Sequence, residues 1–103
     1  MNILYIEQSG VIPYRISNKK IEVLLITSRK GKHWVIPKGI IEPNMTPQTS
    51  AAQEALEEAG ILGEVLPTSI GSYTYNKWGG TCRVKVFLLR VDTLHSERVE
   101  NHR

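Results

Sequence analysis

An α/β fold, one mixed β-sheet carrying a single helix, is what this sequence predicts, and three observations carry it. Residues 46–60 hold a helix with a stop signal at each end, and residues 10–27 and 70–91 are two β-rich stretches, each folded about a polar or glycine-containing centre. From the N-terminus, Gly10 to Ile16 and Ile21 to Thr27 are short strands separated by Ser17-Asn18-Lys19-Lys20, a hairpin. Pro13 has no N–H to give a ladder, so the first strand is expected at an edge or to be irregular. Val35-Ile36 is a short third strand, and Pro37-Lys38-Gly39 with Glu42-Pro43-Asn44 is loop punctuation leading into the helix. Thr46 serves as N-cap, Pro47 sits where a missing N–H costs nothing, and Gly60 suits the left-handed residue past the C-terminus. Gly63 to Leu66 pairs briefly, and Ile70 to Asn76 with Thr81 to Val91 forms a second hairpin around Lys77-Trp78-Gly79-Gly80. In its second strand Cys82, Val84, Val86 and Leu88 point one way. Arg83, Lys85, Phe87 and Leu89 point the other, so that face turns apolar only toward its end.

Chemistry concentrates on the helix. With Glu54 set at about 0°, Glu57 falls near about 300° and Glu58 near about 40°, so the three carboxylates share a narrow arc. Ala52, Ala55, Leu56 and Ala59 lie at about 100° to 200°, an apolar stripe expected to be buried. Carboxylates three and four positions apart repel by about 0.2–0.5 kcal/mol per pair, and no basic residue in the helix offsets them. A solvated acidic face is the plain reading. A hard cation such as Mg2+ or Mn2+, which takes oxygen ligands from one or two carboxylates and substrate phosphates, is the chemical one.

The stretch from Gly39 to Ile61 resembles the Nudix box, G-x5-E-x7-R-E-U-x-E-E-x-G-U with U aliphatic. Gly39, Glu54, Glu57, Glu58, Gly60 and Ile61 fall on its positions, and Ala55 takes the first aliphatic slot. Met45 stands where the family has its first Glu, and Gln53 where it has Arg. The preceding strands and the Trp34-Val-Ile-Pro-Lys-Gly39 entry are similar to the family as well, so the resemblance spans roughly residues 9 to 91. It implies a Nudix-type α/β sandwich that hydrolyses a phosphoanhydride bond in a nucleoside diphosphate-linked or polyphosphorylated small molecule with Mg2+ or Mn2+. It also implies that Glu57 and Glu58 bind the metal and that Glu54 is a further ligand or the base that activates water. The Trp-x-x-Pro-Lys-Gly entry is more similar to members acting on dinucleoside polyphosphates or diphosphoinositol polyphosphates than to those acting on nucleoside triphosphates. Met45 cannot ligate a hard cation and Gln53 offers only an uncharged amide, so weakened hydrolysis is expected. A catalytically inactive module that binds a nucleotide-like anion is the alternative.

The family continues past its last hairpin into another strand and a helix that covers the second sheet face. Here residues 92–103 have Leu94 and Val99 as their only large aliphatics, so the domain is expected to occupy residues 1–91, with 92–103 a polar tail and the last strand and helix missing. That would leave an apolar sheet face bare, either because the chain is short or because a homodimer hides it.

Length and composition fit this reading. With 103 residues, 41% of them apolar and 22% charged, the chain is one small globular domain. Its single cysteine, Cys82, excludes an internal disulfide. The sequence shows no secretory segment and no apolar run of about 18 residues, so a cytoplasmic protein with no membrane contact is expected. The formal charge of +3 suits an anionic small molecule, and no basic run of the kind that grips a nucleic-acid polymer is present. Arg29, Lys30, Lys32 and Lys38 cluster around the entry to the box, and Lys38, at the strand-to-loop junction, is the candidate phosphate contact. Arg29, Trp34 and Gly39 complete the candidate substrate-binding set. Tyr73, Tyr75 and Trp78, like Trp34, are either packing or base-stacking residues, and Trp78 in the turn is expected to be exposed. His33, His95 and His102 have no metal-ligand spacing, and Glu97 and Glu100 are tail acids that could approach the metal site.

Overall fold

The computed structural model describes residues 4–27 and 33–94, together with the backbone of Val99–His102. Its elements are β1 (Tyr5–Ser17), β2 (Lys20–Thr27), β3 (Trp34–Val35), β4 (Lys38–Ile40), α1 (Pro47–Ala59), β5 (Ile61–Val65), β6 (Gly71–Lys77), β7 (Gly80–Leu94) and β8 (Val99–His102). All eight strands form one mixed sheet. Its main order is β3-β2-β1-β7-β5, with β4 on β1, β6 on β7 and β8 on β2. The expected α/β class is therefore what the chain adopts.

Both hairpins turn where the polar centres lie. Asn18 and Lys19 take φ of 51° and 65°, and Trp78 and Gly79 take 56° and 70°. Two consecutive left-handed residues are what a tight type I′ hairpin requires. The turns close the pairs Ser17↔Lys20 and Lys77↔Gly80.

Pro13 does not put β1 at an edge. The strand is central, antiparallel to β2 and β4 on one side and parallel to β7 from Tyr5↔Thr81 to Tyr14↔Arg90 on the other. The N–H of Val11 donates to the Pro37 carbonyl on the β4 side. Residue 13 has the same parity, so its missing donor faces the gap between the β4 pairing, which ends at Gly10, and the β2 pairing, which begins at Tyr14. The loop expected at Lys38-Gly39 is also corrected: these residues form β4, in register with Gly10 and Ser9. Three residues flanked by proline and a turn are too short for any periodic signal.

The reading of residues 92–103 as a polar tail is corrected too. β7 runs on to Leu94, and Val99–His102 lies antiparallel along Val23–Ile26, supplying partners to the edge of β2. Among the described residues α1 is the only helix.

α1 packs across β1, β4 and β5. The core beneath it is Val11, Ile26, Ile61, Phe87 and Leu89 against Ala51, Ala55 and Ala59. Three alanines one turn apart let the helix axis approach the sheet closely. The expected stripe is thus displaced: Ala51 replaces Ala52 in the seam, and Leu56 is 45% exposed. On the opposite face Cys82, Val84 and Gln8 are deeply buried, while Ile16 and Ile21 are 67% and 65% exposed. An open apolar groove of about 390 Å3 runs there between Ile12, Tyr14, Ile16, Ile21, Val23 and Leu88.

Candidate functional site: a carboxylate pair on the edge of β4

The helix is held at both ends as its sequence dictates. Thr46 Oγ1 accepts the Thr49 N–H at 3.1 Å, and Gly60, at φ 65°, returns its N–H to the Leu56 carbonyl at 2.9 Å. This fixes the rotation of α1 about its axis. Its inward arc runs from Ser50 through Ala51 and Ala55 to Ala59, and Glu54 and Glu58 fall inside that arc. Both are half-buried, while Glu57, just beyond the edge of the arc, is exposed. The trio is therefore divided. Gln53 Nε2 donates to Glu57 Oε1 at 2.7 Å, taking the place of the arginine the Nudix box would carry.

Glu54 and Glu58 meet the outer edge of β4. The backbone N–H of Lys38 donates to both Glu58 oxygens, at 3.2 and 3.3 Å. Glu54 lies over Gly39, where an added Cβ would come within 2.3 Å of the carboxyl carbon and 2.4 Å of Oε1. A larger residue at 39 would push that carboxylate from this position. Burial, followed by the charges of Glu58 and Glu57, pushes the Glu54 carboxyl from its ordinary 4.5 up to about 7. A hydrogen bond with Glu58 and the charge of Glu42 act in the same direction. Ser9, the β1 partner of Gly39, adds a buried hydroxyl with no hydrogen-bond partner among the described residues.

These groups fit a hard divalent cation. All the donors are oxygens, two carboxyls are close enough to share a hydrogen bond, and positive charge between them would offset the burial and the carboxylate repulsion that raise Glu54. Among the described residues no three acidic or histidine side chains already converge in a geometry for a metal ion. Two of the three predicted carboxylates come together, and Glu57 is turned outward.

Lys38 sends its side chain away from them. Gly10, its partner on β1, belongs to the sheet face opposite the helix, and there Lys38 Nζ donates to Tyr75 Oη at 3.2 Å. Tyr75 Oη donates in turn to Gln8 Oε1 at 2.8 Å. Neither Tyr75 as a lysine partner nor Gln8 was legible in the sequence. Trp34 in β3 is half-exposed, Trp78 is exposed as expected, and Cys82 is fully buried. Met45 is half-buried in the turn before α1, where its N–H donates to the Glu42 carbonyl. Arg29, Lys30, Lys32, His95 and Glu97 lie outside the described residues, as do the side chains of Glu100 and His102.

A mixed sheet crossed by one capped helix whose inward carboxylates meet a glycine on the preceding strand defines a class, and the chain belongs to it: residues 7–102 match the NUDIX domain. It is 33% identical over 101 residues to Nudix hydrolase 16, mitochondrial, of Arabidopsis thaliana, covering 81% of this chain and 56% of that protein. It is 37% identical over 79 residues to diphosphoinositol polyphosphate phosphohydrolase 3-alpha of Mus musculus, covering 76% of this chain and 47% of that one. The chain thus spans about half the length of these relatives. Among solved structures, the Ap4A hydrolase of C. elegans superposes with a TM-score of 0.80 at 26% identity, over 95% of this chain and 80% of that one.

Proposed function

We propose that this chain hydrolyses a phosphoanhydride bond in a small molecule with a linked diphosphate, such as a dinucleoside polyphosphate or a diphosphoinositol polyphosphate, with Mg2+ or Mn2+. The observation that carries the proposal is the Glu54–Glu58 pair at Gly39 and the Lys38 N–H. Two of the proteins this chain resembles bear names that state such substrates, Ap4A in one case and diphosphoinositol polyphosphate in the other.

Glu58 and Glu54 are the residues that would hold the cation, with Glu57 joining once its side chain leaves Gln53. The chemistry a divalent ion would supply there is neutralisation of diphosphate charge and a more acidic water. The Lys38 N–H fixes Glu58, so that carboxylate is already oriented before ligand arrives. Glu54, held beside Glu58 over Gly39, is placed to serve as the base that takes a proton from water, or as a further ligand of the cation. Gly39 keeps that carboxylate against the strand. The Lys38 ammonium, across β4 from the pair, attracts the phosphate chain as a point charge.

A second reading, a binding module without turnover, draws on one specific contact. The Gln53–Glu57 hydrogen bond holds a predicted ligand outward, and Met45 gives no compensating carboxylate. A phosphate-release screen over diphosphate-linked compounds, with and without Mg2+ or Mn2+, separates the two. Metal-dependent release that Glu54→Gln and Glu58→Gln suppress supports the hydrolase. Ligand binding without release, unchanged by those substitutions, supports the module.

A further inference from the structure

Lys38 is attached to the catalytic edge by its backbone and to the opposite face by its side chain, and the second attachment has its own architecture. Lys38 Nζ lies 3.2 Å from Tyr75 Oη and 4.8 Å from the centre of the Tyr75 ring. Tyr75 Oη lies 2.8 Å from Oε1 of Gln8, which is 3% exposed. The direction of this chain of bonds is set by its chemistry. An ammonium only donates, so Tyr75 must accept from it. The phenol has one proton, which goes to the Gln8 carbonyl. Tyr75 therefore has no proton to offer an anion, and Lys38 retains two. A lysine stem has rotamer freedom to lose on binding. Here part of that ordering is done in advance by a tyrosine anchored to a buried amide.

We propose that Tyr75, oriented by Gln8, is a positioning residue that pre-sets the Lys38 ammonium for a polyphosphate anion. The pair acts on how tightly the phosphate chain is held, while bond cleavage belongs to the carboxylates on the other side of β4. This deepens the proposed hydrolase reading and rests on it for the identity of the substrate.

The test is a double-substitution cycle on the whole chain, read by calorimetry with inorganic tripolyphosphate in the presence of chelator, so that the carboxylate site is silent. Tyr75→Phe keeps the ring and its packing and removes only the hydroxyl. Its Kd for tripolyphosphate is expected to rise about fivefold, the worth of one net hydrogen bond. Lys38→Met raises Kd further, and adding Tyr75→Phe to Lys38→Met changes nothing more, because the hydroxyl acts through the ammonium. Gln8→Leu, which leaves the phenol without its acceptor, behaves like Tyr75→Phe. With diadenosine tetraphosphate and Mg2+, the Tyr75→Phe loss falls on KM rather than on kcat. Three outcomes overturn the inference: a wild-type chain that binds no tripolyphosphate, a Tyr75→Phe chain that binds it as wild type does, or a Tyr75→Phe effect that persists in the Lys38→Met background. Failure of the hydrolase reading looks different, since it is absence of turnover with the tripolyphosphate cycle intact.

Discussion

On the face that α1 covers, Val11, Phe87 and Leu89 are sealed beneath Ala51, Ala55 and Ala59. On the opposite face no described helix lies over the sheet, yet Cys82 and Val84 are as deeply buried, near the place where Lys38 reaches Tyr75 above Gln8, while Ile16 and Ile21 stand open. One face is closed by a secondary-structure element with a continuous apolar seam. The other is buried at one end, around Cys82, Val84 and Gln8, and open at the end where Ile16 and Ile21 lie. The two sides meet at β4, which has the Glu54–Glu58 pair on the packed side and the Lys38 ammonium, hydrogen-bonded to Tyr75, on the loosely roofed side.

Substitutions can break this division. Glu58→Gln on the packed side is expected to lower metal-dependent phosphate release by about 10²–10⁴-fold, the range for a lost catalytic group, with Glu54→Gln comparable. Glu57→Gln, exposed and already engaged by Gln53, should cost least of the three. Stability divides in the same way. Phe87→Ala removes a core side chain and should cost about 3–5 kcal/mol in urea unfolding, whereas Ile16→Ser on the open end should stay within about 0.5 kcal/mol. Gly39→Ala drives a methyl into the Glu54 carboxylate, and a displacement of about 1 Å there should cost about 10²-fold in turnover.

The pH dependence sharpens the account of the packed side. Glu54 in the metal-free fold keeps its proton up to about 7, while the unfolded chain releases it near 4.5. Its contribution to stability is thus complete below about 4.5 and is lost as pH rises through about 7. Urea midpoints in chelator should fall across that window, and Glu54→Gln or added Mn2+ should flatten the slope. The smallest expected effect concerns the open end. Ile16→Ser and Ile21→Ser should leave turnover unchanged, and sedimentation over about a hundredfold range of concentration tests the homodimer expected from the sequence, since that expectation rests on this end of the sheet.

What was legible in the sequence had a local cause. Thr46, Pro47 and Gly60 are capping chemistry within one helix, and both hairpin turns are set by adjacent residues, so each was placed correctly. The Glu54, Glu57 and Glu58 spacing gave a shared arc. It did not give the rotation of the helix against the sheet, which depends on the three alanines fitting over β1 and β5 and which separates Glu57 from the other two. The centrality of β1 depends on a gap between two partners distant in sequence, so Pro13 marked an interruption in the pairing and not the edge that was its alternative. Tyr75 is 37 residues from Lys38 and 67 from Gln8, a constellation assembled by the parallel β1–β7 pairing, for which no short-range pattern exists.

Water-proton relaxation during Mn2+ titration tests the carboxylate pair most directly. The wild-type chain is predicted to bind Mn2+ at a site with bound water, and Glu54→Gln and Glu58→Gln to weaken that binding by more than about tenfold. Mn2+ affinity unchanged in both variants would contradict the account.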